Sequence, residues 1–146
     1  EGQFDEPVGI AIDQYGLIYI ADTWNLRVQV FERVEGEPIS FIPVRSWDIA
    51  GWEGQSLDNK PFIAVSPVNN HVFVTDPDPR ERDIRKLSRV LEFDQEGNFV
   101  RGWSDFADNL GGFIIASGIA TAPDGSLWVS DGAENILYRF ELPAEP

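Results

Sequence analysis

Three returns of one short-strand pattern, a further strand after two of them, and almost no helical spacing predict an all-β fold. Four antiparallel strands per repeat, the innermost apolar on both faces, describe a β-propeller blade. About three such blades fit in the 146 residues, at about 7–54, 61–110 and 116–142 of a single domain. They make an incomplete ring by themselves.

The first unit is the clearest. Val8 to Ile12 is apolar and β-favouring, and Asp13-Gln14-Tyr15-Gly16 is a turn signal, with an Asp able to bond its own backbone. Leu17 to Ala21 is a second strand, and Asp22-Thr23-Trp24-Asn25 a second turn. Arg27 to Phe31 alternates polar and apolar with period two, as a half-buried strand does. Phe41 to Trp47 follows as a fourth strand, whose Pro43 is tolerated because an outermost strand is an edge.

The pattern then returns. Pro7 to Ile12 is repeated at Pro61 to Val65 and Ser117 to Thr121; Leu17 to Asp22 at His71 to Asp76 and Ser126 to Asp131. Val28 to Phe31 is repeated at Val90 to Phe93 and Leu137 to Phe140. Asp22 and Phe31 are spaced as Asp131 and Phe140 are, and length differences fall in turns, where a structural repeat tolerates them. Phe99 to Trp103 is the second unit's fourth strand. The third unit stops at Glu141-Leu142-Pro143 without one, so Ile136 to Phe140 is expected to present an unpaired edge.

Composition narrows the function. The net charge is −14, from 11 basic and 25 acidic residues. That counts against nucleic acid, which needs a positive surface to displace counterions, and against docking on anionic lipid. No apolar run reaches membrane-spanning length, so direct membrane insertion is not expected. There is no Cys, hence no disulfide or thiol chemistry. The chain opens mid-pattern at Glu1-Gly2-Gln3-Phe4, which suggests excision from something longer.

Gly2-Gln3-Phe4, Pro7 to Asp13, Gly16 to Thr23 and Asn25 to Phe31 together closely resemble the NHL repeat. The later units resemble it in degenerate form. Ser66-Pro67 stands where the first unit has Asp13, a long insertion precedes Arg89, and Ile136 replaces the Arg of the other two units. The resemblance implies a propeller, six-bladed in most members, that serves as a binding platform. It also implies, for bacterial members, a place outside the cytoplasmic membrane, with which this acidic, Cys-free composition is compatible. Three blades do not close a ring, so either flanking blades or a second copy of the chain is the expected protein partner.

Candidate site residues follow. Asp22, Asp76 and Asp131 recur at one position. As turn residues they bond local backbone, with Asp22 and Asp76 also facing Arg27 and Arg89; as a set they would aim three carboxylates at a metal. The structural role is expected, with no metal and no cofactor. His71, the single histidine, is expected to be exposed, with no catalytic partners around it. Trp128 is expected in the core, and Trp47 and Trp103 between blades. Trp24 and Trp52 lie in loops, either as protein contacts or partly buried. Arg80, Arg82 and Arg85 in the second unit's insertion form either a solvated loop or a protein-docking element.

Enzymes resembling this family (amidating lyases, lactonases and strictosidine-synthase-like proteins) place metal ligands or a His near inner-strand ends. Here those places hold Pro7-Val8-Gly9, Pro61-Phe62 and Ala116-Ser117-Gly118. No catalytic residue is therefore expected. The sequence reads as a non-catalytic, protein-binding or assembly scaffold. The alternative is part of a metal-dependent, lyase- or lactonase-like propeller with its active site in other blades.

Overall fold

Strand-forming segments separated by Gly, Asn and Asp turns pair locally, and the sheets follow from that. A computed structural model describes residues 2–57, 59–77, 88–104 and 112–143. The first sheet holds β1 (Pro7–Ile12), β2 (Ile18–Asp22), β3 (Arg27–Val34) and β4 (Ser40–Asp48) in that order. The second holds β5 (Ile63–Val65), β6 (Val72–Pro77), β7 (Ser88–Phe93) and β8 (Phe99–Trp103). The third holds β9 (Ala116–Thr121), β10 (Leu127–Asp131) and β11 (Ile136–Phe140). All pairings are antiparallel. A short 3-10 turn, Ala50–Gly54, links the first two sheets.

The first turn of each unit uses the same device. Gly16, Asn70 and Gly125 take φ of 87°, 59° and 84° at equivalent places. Asn enters this left-handed region more readily than most residues other than Gly. A side-chain oxygen then holds the turn. Asp13 accepts the N–H groups of Tyr15 and Leu17, Ser66 that of Val68, and Asp124 that of Ser126. Ser66 thus does the work of Asp13 despite the departure from the repeat.

The sheets stack in chain order, with β1 beside β5 and β5 beside β9. One core, between the first two sheets, joins Tyr19, Ala21, Val28 and Val30 to Ile63, Val65, Val72, Val74, Leu91 and Phe93. A second joins Phe73 and Val90 to Leu127 and Val129. Each fully buried Val or Leu among them contributes about 1.5–3 kcal/mol. Fourth-strand tryptophans cross each seam as expected. Trp47 packs on Phe93 at 5.9 Å and Trp103 on Phe140 at 5.8 Å between ring centroids.

The sheets also face the same way. Ile10 pairs with Ile20, Ile63 with Val74 and Ile119 with Val129, and each partner lies two residues before the recurrent Asp. Ile63 and Ile119 point at the preceding sheet. Ile10 has no preceding sheet among the described residues, so it is 65% exposed against 6% for Ile63. The first inner strand, apolar on both faces, therefore buries only one of them among the described residues. Ile12, 62% exposed, shares the open face. The opposite end is similar. Trp128, expected in the core, occupies the place of the buried Tyr19 and Phe73 but is only half-buried, since among the described residues no further sheet packs on it. The sheets do not close into a ring, and β11 is a sheet edge among the described residues.

Candidate functional site

The recurrent aspartates end β2, β6 and β10, and all three are buried. Asp22 accepts the Asp5 N–H at 2.8 Å, the Asn25 amide, the Arg27 Nε–H at 2.9 Å and the Gln29 amide at 2.8 Å. Burial alone would raise its pKa. The hydrogen bonds from Asp5, Arg27, Asn25 and Gln29 outweigh burial and hold it below the ordinary value of 3.8. Asp76 accepts from Arg89 at 2.6 Å. Asp131, lacking that Arg, accepts the backbone N–H groups of Ile114, Ile115, Ala133 and Glu134 at 2.7–3.2 Å. Each carboxylate thus ties a second-strand end to nearby chain. Among the described residues no group of three His, Cys, Asp or Glu side chains is placed to hold a metal ion.

The same aspartates receive the segment that leads into each blade. Asp5 and Ile114 donate to Asp22 and Asp131, and the adjoining Phe4 and Phe113 pack at steep ring angles against Phe31 and Phe140, with centroids 5.4 and 5.7 Å apart. In the second blade the 3-10 turn takes this place. Gly51 lies so close to Asp76 that a Cβ would stand 2.2 Å from its carboxylate. Trp52 is fully buried, its Nε1–H donating to the Thr75 carbonyl at 3.1 Å. Trp52 is therefore corrected from candidate contact to core residue. The signal for the other two was present in the sequence. Gly2-Gln3-Phe4 precedes Gly9 as Gly111-Gly112-Phe113 precedes Gly118.

His71 is a second correction. It is 7% exposed, and its Nδ1 lies 2.7 Å from Glu92 Oε1, while Arg101 pairs with the other oxygen of Glu92. The pair brings the β5–β6 turn onto β7, a contact that sequence spacing does not show. Beside it is a cavity of about 640 Å³ between the second and third blades, lined in part by Glu92, Arg101, Asp124, Arg139 and Glu141. Its acids are matched to arginines. Arg139 contacts Asp124 at 3.2 Å and Glu141 at 2.7 Å, which leaves a paired, mixed-charge wall in place of a charge-selective one.

Trp24 is 46% exposed at the β2–β3 turn, with the Lys60 ammonium 4.7 Å above its ring and 3.3 Å from Glu6. It keeps a surface position suited to contact. Arg80, Arg82 and Arg85 lie outside the described residues. The β4 and β8 strands share a feature that sequence reading passed over. Arg45-Ser46-Trp47 and Arg101-Gly102-Trp103 are the same Arg–small–Trp triplet, set against β3 and β7 in the same register.

These blades define a β-propeller segment, and the comparisons agree. The NHL repeat model matches residues 4–31, so the chain carries an NHL repeat. No curated protein sequence matches. Solved structures with similar folds include the selenomethionine-substituted virginiamycin B lyase from Staphylococcus aureus, with 14% identity and a TM-score of 0.52. That match covers 94% of this chain and 42% of the lyase. A catalytically inactive form of that lyase with quinupristin matches at 14% identity and TM-score 0.50, over 95% of this chain and 42% of that one. A streptogramin B lyase structure matches at 13% and 0.51, over 95% and 41%. The chain thus spans about two fifths of the length of these propellers.

Proposed function

We propose that this chain is a non-catalytic propeller module acting as a protein-binding or assembly scaffold. The observation that carries this reading is the open face of the first sheet. Ile10 and Ile12 stand there 65% and 62% exposed, at positions where the second blade buries Ile63 and Val65. A contiguous apolar face on a sheet marks an association surface. The common use of NHL repeats in protein interaction supports it. No described helix is long and apolar enough to cross a membrane. Light scattering over a range of concentrations tests the assembly form. The expected mass exceeds the chain's 16.4 kDa, and a monodisperse single chain removes it.

A second reading rests on the lyase neighbours: the chain as part of a lyase- or lactonase-like, metal-dependent propeller whose catalytic groups lie in other blades. Metal analysis of the purified protein with a lyase assay separates the two. A stoichiometric divalent ion and turnover favour the enzyme.

A further inference from the structure

We propose that the Trp24 ring, with the Glu6 carboxylate beside it, receives an arginine side chain of a partner protein. This deepens the scaffold reading and rests on it. The ring already holds one cation. Lys60 places its ammonium 4.7 Å from the ring centroid and 3.3 Å from Glu6, and its side chain is only 13% exposed. The Lys60 Nζ is buried and has no hydrogen-bond partner among the described residues. A charge so far out of water needs compensation, and the indole face and one carboxylate supply it.

The pair is only half used. Trp24 is 46% exposed and the Glu6 side chain 45%. Neither end of the stack explains this exposure, because Trp24 stands where the first two sheets meet. Its N–H donates to the Asp5 carbonyl at 3.3 Å, the Gln55 amide donates to the adjoining Thr23 carbonyl at 2.6 Å, and Lys60 leads into β5. Both sheets are in place, and the ring and the carboxylate still face water.

Charge and shape select the occupant. Asp5 and Glu6, both exposed, outnumber Lys60 at this place, in a chain of net charge −14. Such a surface draws cations. A guanidinium suits both groups at once. It is flat enough to lie on an indole, and its N–H fork matches a carboxylate, whereas an ammonium is a more strongly hydrated point charge. A second copy of the chain is a poor source, since each described arginine already has an acceptor within its own chain. The occupant is an arginine of another protein.

The test titrates the whole chain with a blocked Gly-Ser-Arg-Ser-Gly peptide and with its lysine and citrulline forms, the last isosteric with arginine but uncharged. Indole and backbone N–H signals are followed by NMR. The arginine peptide is expected to shift the Trp24 indole and the amides of Asp5 and Glu6, and to bind about fivefold more tightly than the citrulline form, with lysine between. Trp24→Leu is expected to lose about fivefold in affinity for it, and Trp24→Phe to keep most of it. Glu6→Gln, which leaves the ring in place, is expected to weaken the arginine peptide and leave the citrulline one unchanged. Urea unfolding shows that each variant folds, and Glu6→Gln carries the test if Trp24→Leu does not. Equal binding of the arginine and citrulline forms overturns the proposal, as does binding of none of the three, the result if the chain's own residues fill the place. Arginine binding that ignores Trp24→Leu and Glu6→Gln also overturns it. So does light scattering in which Trp24→Leu abolishes self-association, which would put a second copy on the ring. Association through the open face of the first sheet is read separately, with Ile10 and Ile12 replaced, so failure here and failure of the scaffold reading are distinct.

Discussion

Asp22 shows how one buried charge earns its place. Its carboxylate gathers donors from Asp5, Asn25, Arg27 and Gln29, and removing it leaves the buried Gln29 amide without this acceptor and the Arg27 guanidinium without its counter-charge. Asp22→Ala is expected to cost about 3 kcal/mol in urea unfolding. The pH dependence has a definite sign. The folded pKa is depressed, so the stabilisation is complete above the ordinary 3.8 and is lost as pH falls from there through the lower folded value. Asp22→Asn should therefore lag the wild type at neutral pH, and the gap should narrow below about pH 4. His71 teaches a different lesson. Its burial depends on Glu92, which is distant in sequence and reaches it only once β7 lies beside β6. No local pattern announces that partner, so an isolated polar residue at a turn read as exposed.

At the scale of elements, strands were legible wherever period two, turn residues and recurrence agreed, as in β1 to β3 and again in β9 to β11. The 3-10 turn was not, because Ala50 to Gly54 breaks the repeat and only packing against β6 gives it a role. That turn yields a test. A methyl group at Gly51 collides with the Asp76 carboxylate, so Gly51→Ala should cost about 1–3 kcal/mol. The cost should be clearly non-additive with Asp76→Ala in a double-mutant cycle, which relieves the collision. The seam tryptophans yield another. The indole N–H groups of Trp47 and Trp103 have no hydrogen-bond partner among the described residues, and their rings pack on Phe93 and Phe140. Trp47→Ala should cost about 3 kcal/mol, while Trp47→Phe keeps a ring on Phe93, drops the unpaired donor and should stay within about 1 kcal/mol of wild type in urea unfolding.

For the whole molecule, the sequence foretold three blades of one pattern, and the described residues form three such sheets. It did not show that the stack has two unlike ends, since which sheet faces lack a neighbour depends on the order of stacking. That asymmetry gives a test that separates association from folding. Ile10→Asp with Ile12→Asp touches only the open face and should change unfolding stability by about 0.5 kcal/mol or less while abolishing association. Ile63→Asp, at the equivalent position inside a seam, should unfold the chain, because it buries an unpaired charge.

The lead-in segments give the architecture its grain. Because each one is fastened to the aspartate of the blade it precedes, every copy carries its own clasp, and the natural joints fall just before the lead-ins, near Ala50 and Gly112. A duplication cut at those joints would deliver a self-latching cassette, so such chains could grow or shrink by whole units with no rewiring of their neighbours.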